Sequence, residues 1–465
     1  VPQTVSTCRK LVRQARLYIL LEQGSCMDLE GYARRAIERG EKDVAKRLAE
    51  RILEIKGEKT TREGARRLAE AVVLEVKNAL KARGELFEYH RSGVSMGEFG
   101  VGSRGRGDFY VHRLLSEVIG STGAVVDATH MDDSGVVRYG DLYISLTVDG
   151  IHSRLSEFPY LAGFHVARAA LRDIYVMGAR PIAAFSDIHV ADDGDVSKVF
   201  DHVAGISTVC ELMNVPLITG STLRIGGDMV IGERMTGGVG AVGVSTGITP
   251  RRAARPGDVL MMTEGAGGGT ITTAAIYNGM PQVVEETLNL TFLRAADALL
   301  QSGLADRVHA MTDITNGGIR GDAEEICAAC GLGMVLDEQR IRELVSPPVL
   351  EMLEKLGIDY LGVSLDALLL IVPGELVSSI EELMDDVGVR VGVIGSVDDG
   401  SGPRLLVDDR EQELTPRFRE SAYTPVKRMV GEGAPQNVEE MRRRVDEAAR
   451  AALSKKRAVM ERLRG

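Results

Sequence analysis

Five aspartates carry most of the chemistry that can be read from this chain. Asp132 and Asp133 precede the apolar pair Val136/Val137, and Asp149 ends the run Leu142 to Val148 just before Gly150. Asp173 falls in the last turns of an apolar helical run that stops at Gly178, and Asp313 follows the apolar run Val308 to Thr312. Each sits where a hydrophobic element gives way to a turn. Carboxylates drawn together from separate element ends repel one another unless a cation, or a cation with phosphates, lies between them. An oxygen-only set of this kind suits magnesium, which takes a few carboxylates and keeps its other positions for water and substrate phosphates. Taken singly, each is also an ordinary turn residue, Asp before Gly above all.

The same stretches resemble motifs of one superfamily, that of aminoimidazole ribonucleotide synthetase, selenophosphate synthetase, thiamine-monophosphate kinase and the hydrogenase-maturation carbamoyl dehydratase. Asp132-Asp133-Ser134-Gly135-Val136-Val137 resembles its DDAAVV element, and Thr147-Val148-Asp149-Gly150 its T-x-D strand end. The run from Arg172 through Asp173 and Met177 to Pro181 is similar to NDIYAMGGKP, and Met311-Thr312-Asp313-Ile314-Thr315-Asn316-Gly317-Gly318 to LTDVTGFG. The matches keep family order between about residues 95 and 400, and their flavour is nearest to selenophosphate synthetase-related proteins.

The resemblance implies an α/β (α+β), two-domain synthetase-like fold and a homodimer whose first domains close a barrel, with a nucleotide near the interface. It implies ATP and magnesium as cofactors, with Asp132, Asp133, Asp149, Asp173 and Asp313 on the metal. Asp132, Asp149 and Asp313 are the catalytic set. It also implies a glycine-rich lid over the phosphates, so Gly102, Ser103, Arg104 and Gly105 join the nucleotide set with Thr147 and the segment Gly220-Ser221-Thr222. There the family has a G-G-D-T or G-G-H-T turn; Ser221 stands where Asp or His would be, so no ligand or acid/base role passes to it.

One departure is sharper. Selenophosphate synthetases place a Cys or selenocysteine and a Lys in their glycine-rich N-terminal loop. This chain has no Cys between Cys26 and Cys210 and no Lys between Lys81 and Lys198. A chalcogen-handling nucleophile is missing, which speaks against selenophosphate formation.

The elements that must position these residues follow from periodicity. Residues 4 to 86 place apolar side chains at helical spacing, with Asp28 and Thr60 or Thr61 as caps and Gly57 and Gly84 as stops. This segment, taken as 1–90, is a helical extension that the resemblance does not cover. A glycine-rich segment and helix occupy 91–124. Gly100-x-Gly102-x-x-Gly105 matches the dinucleotide fingerprint literally, but no strand precedes it, which excludes a nicotinamide site. Asp108 is placed to cap the following helix, with Arg104 and Arg106 at its positive end; a plain linker is the other reading.

The first α/β domain spans 125–248. Its strands fall at Leu142–Val148, Pro181–Val190, Pro216–Thr219 and Gly237–Val244, its helices at Tyr160–Met177 and Ser197–Met213. The second spans 249–425, with strands near Val308–Thr312, Ala367–Val372 and Val389–Ile394 and helices at Leu290–Ser302, Gly321–Ala329 and Pro348–Leu356. The last segment, 426–465, ends in an arginine-rich amphipathic helix expected on the N-terminal helices or in a dimer. His152 and His165 lie near the acidic set as general-base candidates or as satisfied histidines.

Composition excludes several classes. A net charge of -11 gives no basic surface for nucleic acid. No apolar run reaches membrane-spanning length and no signal-peptide pattern opens the chain, so a soluble cytoplasmic protein is expected. Cys8, Cys26, Cys210, Cys327 and Cys330 are too few and scattered for a disulfide framework, and Cys327-Ala-Ala-Cys330 reads as small helix residues rather than a metal or redox pair. The functional expectation is an ATP- and magnesium-dependent enzyme that phosphorylates or activates an oxygen of a small molecule. The alternative is an inactive nucleotide-binding regulatory or scaffold protein.

Overall fold

A computed structural model describes residues 26–315, 317–420 and 422–464. The expected helix before residue 26, Cys8, and Asn316 of the second acidic motif lie outside the described residues.

Two sheets organise the chain. The first has five strands: β2 (Gly135–Tyr139), β3 (Leu142–Gly150), β4 (Arg180–Val190), β5 (Leu217–Arg224) and β7 (Met235–Ser245), in the order β2-β3-β7-β4-β5. All its neighbours are antiparallel except the pair β4/β5. The alternation in β3 explains its placement. Ser145 is buried while Leu142, Leu146 and Val148 are exposed on the other face. The helices Pro159–Tyr175 and Ser197–Leu212 pack against each other and against the sheet. They approach closely because Gly163 and Gly205 leave no room for a Cβ: one would meet His202 O at 2.1 Å, the other Tyr160 O at 2.2 Å.

The second sheet has seven strands: β8 (Val259–Thr263), β9 (Ala310–Asp313), β10 (Gly333–Asp337), β11 (Leu368–Val372), β12 (Val391–Asp398), β13 (Gly402–Val407) and β14 (Arg410–Glu413). Their order is β14-β13-β10-β12-β8-β11-β9. β11 (LLLIV) is buried along its whole length, as a strand covered on both faces must be. One hydrophobic core runs from Ala167, Leu171 and Ile174 of the first half to Phe292, Leu293 and Leu368 of the second, so the two halves pack directly. This is the mixed helix-and-sheet architecture expected.

The helices Leu29–Glu38, Val44–Lys56 and Arg62–Ala79 form their own core around Leu48, Ile52, Ala69 and Val72. Asp28 and Thr61 cap two of them, accepting from Gly31 N at 2.9 Å and Gly64 N at 3.0 Å, and Gly57 ends the second at φ 52°. The third ends before Gly84. A strand pair and a set of ion pairs help to hold this bundle on the first sheet's end. β1 (Cys26–Asp28) pairs with β6 (Val230–Gly232), and Lys56 Nζ lies 2.7 Å from Asp192 and 2.6 Å from Asp193.

Three expectations need correction. β5 does not turn at Gly220; it continues to Arg224 because parallel pairing with β4 satisfies its backbone through Ser221 and Thr222. Asp108 is not the helix cap. The helix is Arg106–Ile119 with Gly105 at its N-cap, and Asp108, in the first turn, turns its carboxylate back to the loop. The final helix, Val438–Arg464, expected on the N-terminal helices or in a dimer, packs among the described residues on Arg106–Ile119, outside the N-terminal bundle. Tyr110 OH donates to Asp446 at 2.6 Å and Lys456 caps the carbonyls of Val118 and Ile119.

Candidate active site

Asp132, Asp133, Asp149, Asp173 and Asp313 all line one cleft of about 1070 Å³ between the two halves. Asp149 comes from the end of β3 and Asp313 from the end of β9, so each sheet delivers a carboxylate from a strand terminus. Asp173 comes from the last turns of the helix Pro159–Tyr175, and Thr147 Oγ1 donates to its Oδ2 at 2.7 Å. Thr147 therefore orients a cleft residue without lining the cleft.

Burial raises the proton affinity of Asp132, Asp149, Asp173 and Asp313. It pushes Asp132 up to about 6, with Arg251 opposing and Asp133 adding to the shift. It pushes Asp313 up to about 7 against the pull of Arg172, and it raises Asp149 against Arg172 and Arg104. Asp173 is raised well above the ordinary range by burial and then by the charges of Asp149, Asp313 and Asp133. These aspartates feel one another's charge, as a shared cation site requires.

They are not drawn into a ready cage. Among the described residues no group of three or more His, Cys, Asp or Glu side chains is placed to hold a metal ion. Arginines explain this. Arg251, fully buried, sets Nη2 2.6 Å from Asp133 Oδ1 and Nη1 3.0 Å from Glu325 Oε2, and its backbone N–H donates to Asp132 at 3.2 Å. Arg172 sets Nε 3.0 Å from Asp313 Oδ2 and Nη1 2.5 Å from Asp366, which Arg168 holds from the other side at 2.7 Å. Although burial works against it, these two guanidiniums keep Asp366 well below the ordinary carboxylate range. The donor set still fits a hard divalent ion. It is all oxygen, Asp313 is buried and the other four are half-buried, and neither carboxylate oxygen of Asp313 accepts a hydrogen bond among the described residues.

The glycine-rich loop forms one wall. Gly102 and Arg104 line the cleft; Ser103 and Gly105 do not. The amides of Gly102 and Arg104 donate to Asp108 at 2.9 and 2.8 Å, so the loop is wound around an internal carboxylate. Arg104, at φ 56°, reaches Glu325 at 3.1 Å. Gly105 is a packing glycine: a Cβ there would lie 2.6 Å from the carbonyl oxygens of Arg417 and Phe418.

Gly220, Ser221 and Thr222 do not join the cleft. They are exposed on β5, at the edge of the first sheet. None of the three is among the residues that line the cleft. His165 also lines the cleft, but as a buried side chain held by the core. Its Nε2 is 2.8 Å from Thr272 Oγ1, and burial brings it down to about 3. His152 lines the cleft with Nε2 2.9 Å from Tyr423 OH, brought down to about 4 by burial and by the charges of Lys427 and Arg154. Cys327 and Cys330 are free thiols on the helix Gly318–Cys330, and burial pushes Cys327 up to about 12.

The sequence reading missed Arg251, Asp366, Glu325, Arg154, Tyr423 and Lys427. Asp366 carried one signal, a lone acid at the edge of the apolar run Ala367 to Val372, though before the run rather than after it as Asp313 is.

Comparison with known proteins identifies the family. The N-terminal domain model of AIR synthase related proteins matches residues 131–245, and the C-terminal domain model matches residues 255–408. An uncharacterized protein of Methanocaldococcus jannaschii, MJ1416, is 50% identical over 94% of this chain and 98% of its own length. A selenide, water dikinase of Myxococcus xanthus is 31% identical over 49% of this chain and 64% of its own. Among solved structures, AaThiL complexed with AMPPCP and TMP superposes with a TM-score of 0.53 at 20% identity, covering 67% of this chain and 96% of that one. That similarity shows a shared fold. Two domain matches in family order, together with half identity along nearly all of one relative, decide the assignment: this chain belongs to the AIR synthase-related family.

Proposed function

We propose that the protein is an ATP- and magnesium-dependent enzyme that transfers a phosphoryl group to, or otherwise activates, an oxygen of a small molecule. The observation that carries this is the meeting, in one cleft, of Asp149 from the first sheet and Asp313 from the second with Arg104 of the glycine-rich loop. A relative named as a dikinase and a neighbour solved with AMPPCP support the reading.

In this reading Asp132, Asp133, Asp149, Asp173 and Asp313 would hold magnesium, which when bound neutralises phosphate charge. Arg104 would swing from Glu325 onto the phosphates as negative charge develops there. No side chain needs to form a covalent bond, in keeping with a glycine-rich loop that holds neither Cys nor Lys.

We further infer a homodimer formed by the open face of the first sheet. Leu142, Leu146 and Val148 are exposed there, and Leu146 lies opposite Val242 in register. Such a sheet face calls for a cover. No helix of the described residues is long and apolar enough to cross a membrane.

A second reading, an inactive nucleotide-binding or scaffold protein, is favoured by one observation: Arg172 and Arg251 already sit on Asp313 and Asp133. Calorimetry with ATP and magnesium, on the native chain and on Asp149→Asn/Asp313→Asn, tests the site. Binding that collapses in the double variant is expected, and no binding to the native chain sinks both readings. Release of ADP with a screened acceptor separates the enzyme from the scaffold.

A further inference from the structure

Two cations line the same cleft with no acidic partner. Arg154 and Lys427 form no ion pair with any described residue, in a chain where most buried arginines are doubly paired. Both are seated. The Arg154 guanidinium lies 4.1 Å from the centre of the Tyr277 ring, and Tyr277 OH donates to the Arg154 carbonyl at 2.8 Å. Lys427 Nζ lies 4.1 Å from the centre of the Tyr423 ring, whose hydroxyl is fixed by His152 at 2.9 Å. The helix Gly269–Tyr277 starts at the same place, since Gly269 and Thr270 line the cleft and a Cβ on Gly269 would meet His152 Cβ at 3.3 Å. The positive end of its dipole adds to the two side chains.

The two charges are close enough to oppose each other. Burial, then repulsion from Arg154, brings Lys427 down to about 8. An anion between them would relieve that repulsion and form charge-assisted hydrogen bonds. Tyr423 and Lys427 lie beyond residue 408, where the family's C-terminal domain match ends. The segment after the second sheet therefore brings its own basic group to the cleft.

We propose that Arg154 and Lys427 form an acceptor subsite that binds an anionic group, a phosphate monoester or a carboxylate, of the small-molecule substrate. This rests on the reading of the cleft as a phosphoryl-transfer site. The carboxylates hold the nucleotide side of the cleft, and the tyrosine-seated cations hold the tail of the acceptor.

The test is calorimetry on protein saturated with magnesium and AMPPCP, titrated with phenyl phosphate, benzoate and, as a neutral control, benzyl alcohol. One or both anions bind the native chain, and the stronger arm distinguishes phosphate from carboxylate. Lys427→Met and Arg154→Gln each weaken that anion by about tenfold or more, Lys427→Arg restores most of it, and AMPPCP affinity moves by less than about twofold. Thermal unfolding of each variant shows that the fold is kept. Equal anion binding by native chain and folded variants overturns the proposal, as does failure of both anions to bind nucleotide-loaded protein. A loss of AMPPCP affinity in their place assigns the two cations to the nucleotide and also overturns it. If AMPPCP does not bind the native chain, the phosphoryl-transfer reading fails by itself. The anion titrations on nucleotide-free protein then decide the subsite separately.

Discussion

Arg172 Nε lies 3.0 Å from Asp313 Oδ2, joining a helix of the first half to a strand end of the second at the floor of the cleft. Both side chains are buried, and the same guanidinium reaches Asp366 at 2.5 Å. Removing one partner of such a pair strands a charge away from water. Arg172→Met is expected to destabilise the protein by about 3 kcal/mol, the low end for a broken buried pair, because Arg168 still holds Asp366. Arg172→Met/Asp313→Asn should recover part of that loss, since the orphaned carboxylate is gone. Urea unfolding of the single and double variants measures both, and additive losses would show that the pair is not coupled.

The aspartate cluster was legible because each member marks an element end, a local property that strand and helix periodicity expose. The strands that were read, β3 and β4 among them, were legible for the same reason, whereas β2, β10, β13 and β14 were not read. What counterbalances the cluster was not. Arg251 lies in a short turn far in sequence from Asp133 and Glu325, and nothing in its neighbours announces burial. Lys427 and Tyr423 reach the cleft only through the path of the chain after β14. Gly220-Ser221-Thr222 shows the converse error. A turn motif was read where the parallel partner β4 supplies the hydrogen bonds of a continuing strand. Pairing between distant segments decides both cases, and local pattern does not encode it.

Gly105 sets how the loop sits on the cleft. Its neighbours Arg106 and Gly107 donate to Arg417 O at 2.8 Å and Phe418 O at 3.1 Å, an approach that a methyl group blocks. Gly105→Ala is expected to cost about 1–3 kcal/mol, as overpacking against rigid backbone does. Nucleotide affinity should fall with it, because Arg104 moves with the loop. Unchanged unfolding and binding curves would mean that the loop does not depend on this contact.

His165 makes stability depend on acid. Its folded form takes a proton only near pH 3, whereas the unfolded chain takes one near the ordinary value of 6.5. The unfolded state therefore binds more protons in that window, and this contribution to stability is lost as pH falls from about 6.5 towards 3. The cleft carboxylates raised by burial act in the opposite sense, so the useful quantity is a difference. Melting temperature followed from pH 7.5 to 5 should fall more steeply for the native chain than for His165→Asn, by a few degrees over the range. Parallel profiles would show that the histidine takes its proton as readily in the fold as in the unfolded chain.

The open face of the first sheet predicts an assembly. Leu142 and Leu146 are each 43% exposed and Val148 is 70% exposed, side by side on β3, while the helix Pro159–Tyr175 covers the opposite face. Leu146 and Ile144 face Val242 and Val244 across the β3/β7 pair, so the apolar surface is continuous across two strands. A second copy meeting the same face would bury it symmetrically, as a two-fold interface does. Sedimentation velocity should report a dimer for the native chain and a monomer for Leu146→Asp/Val148→Asp, because two carboxylates in the centre of the patch would be buried unpaired. The double variant keeps its own fold, since both side chains already point away from the core, and circular dichroism checks this. A native monomer across micromolar concentrations would rule out the sheet-to-sheet dimer and leave this face to some other cover.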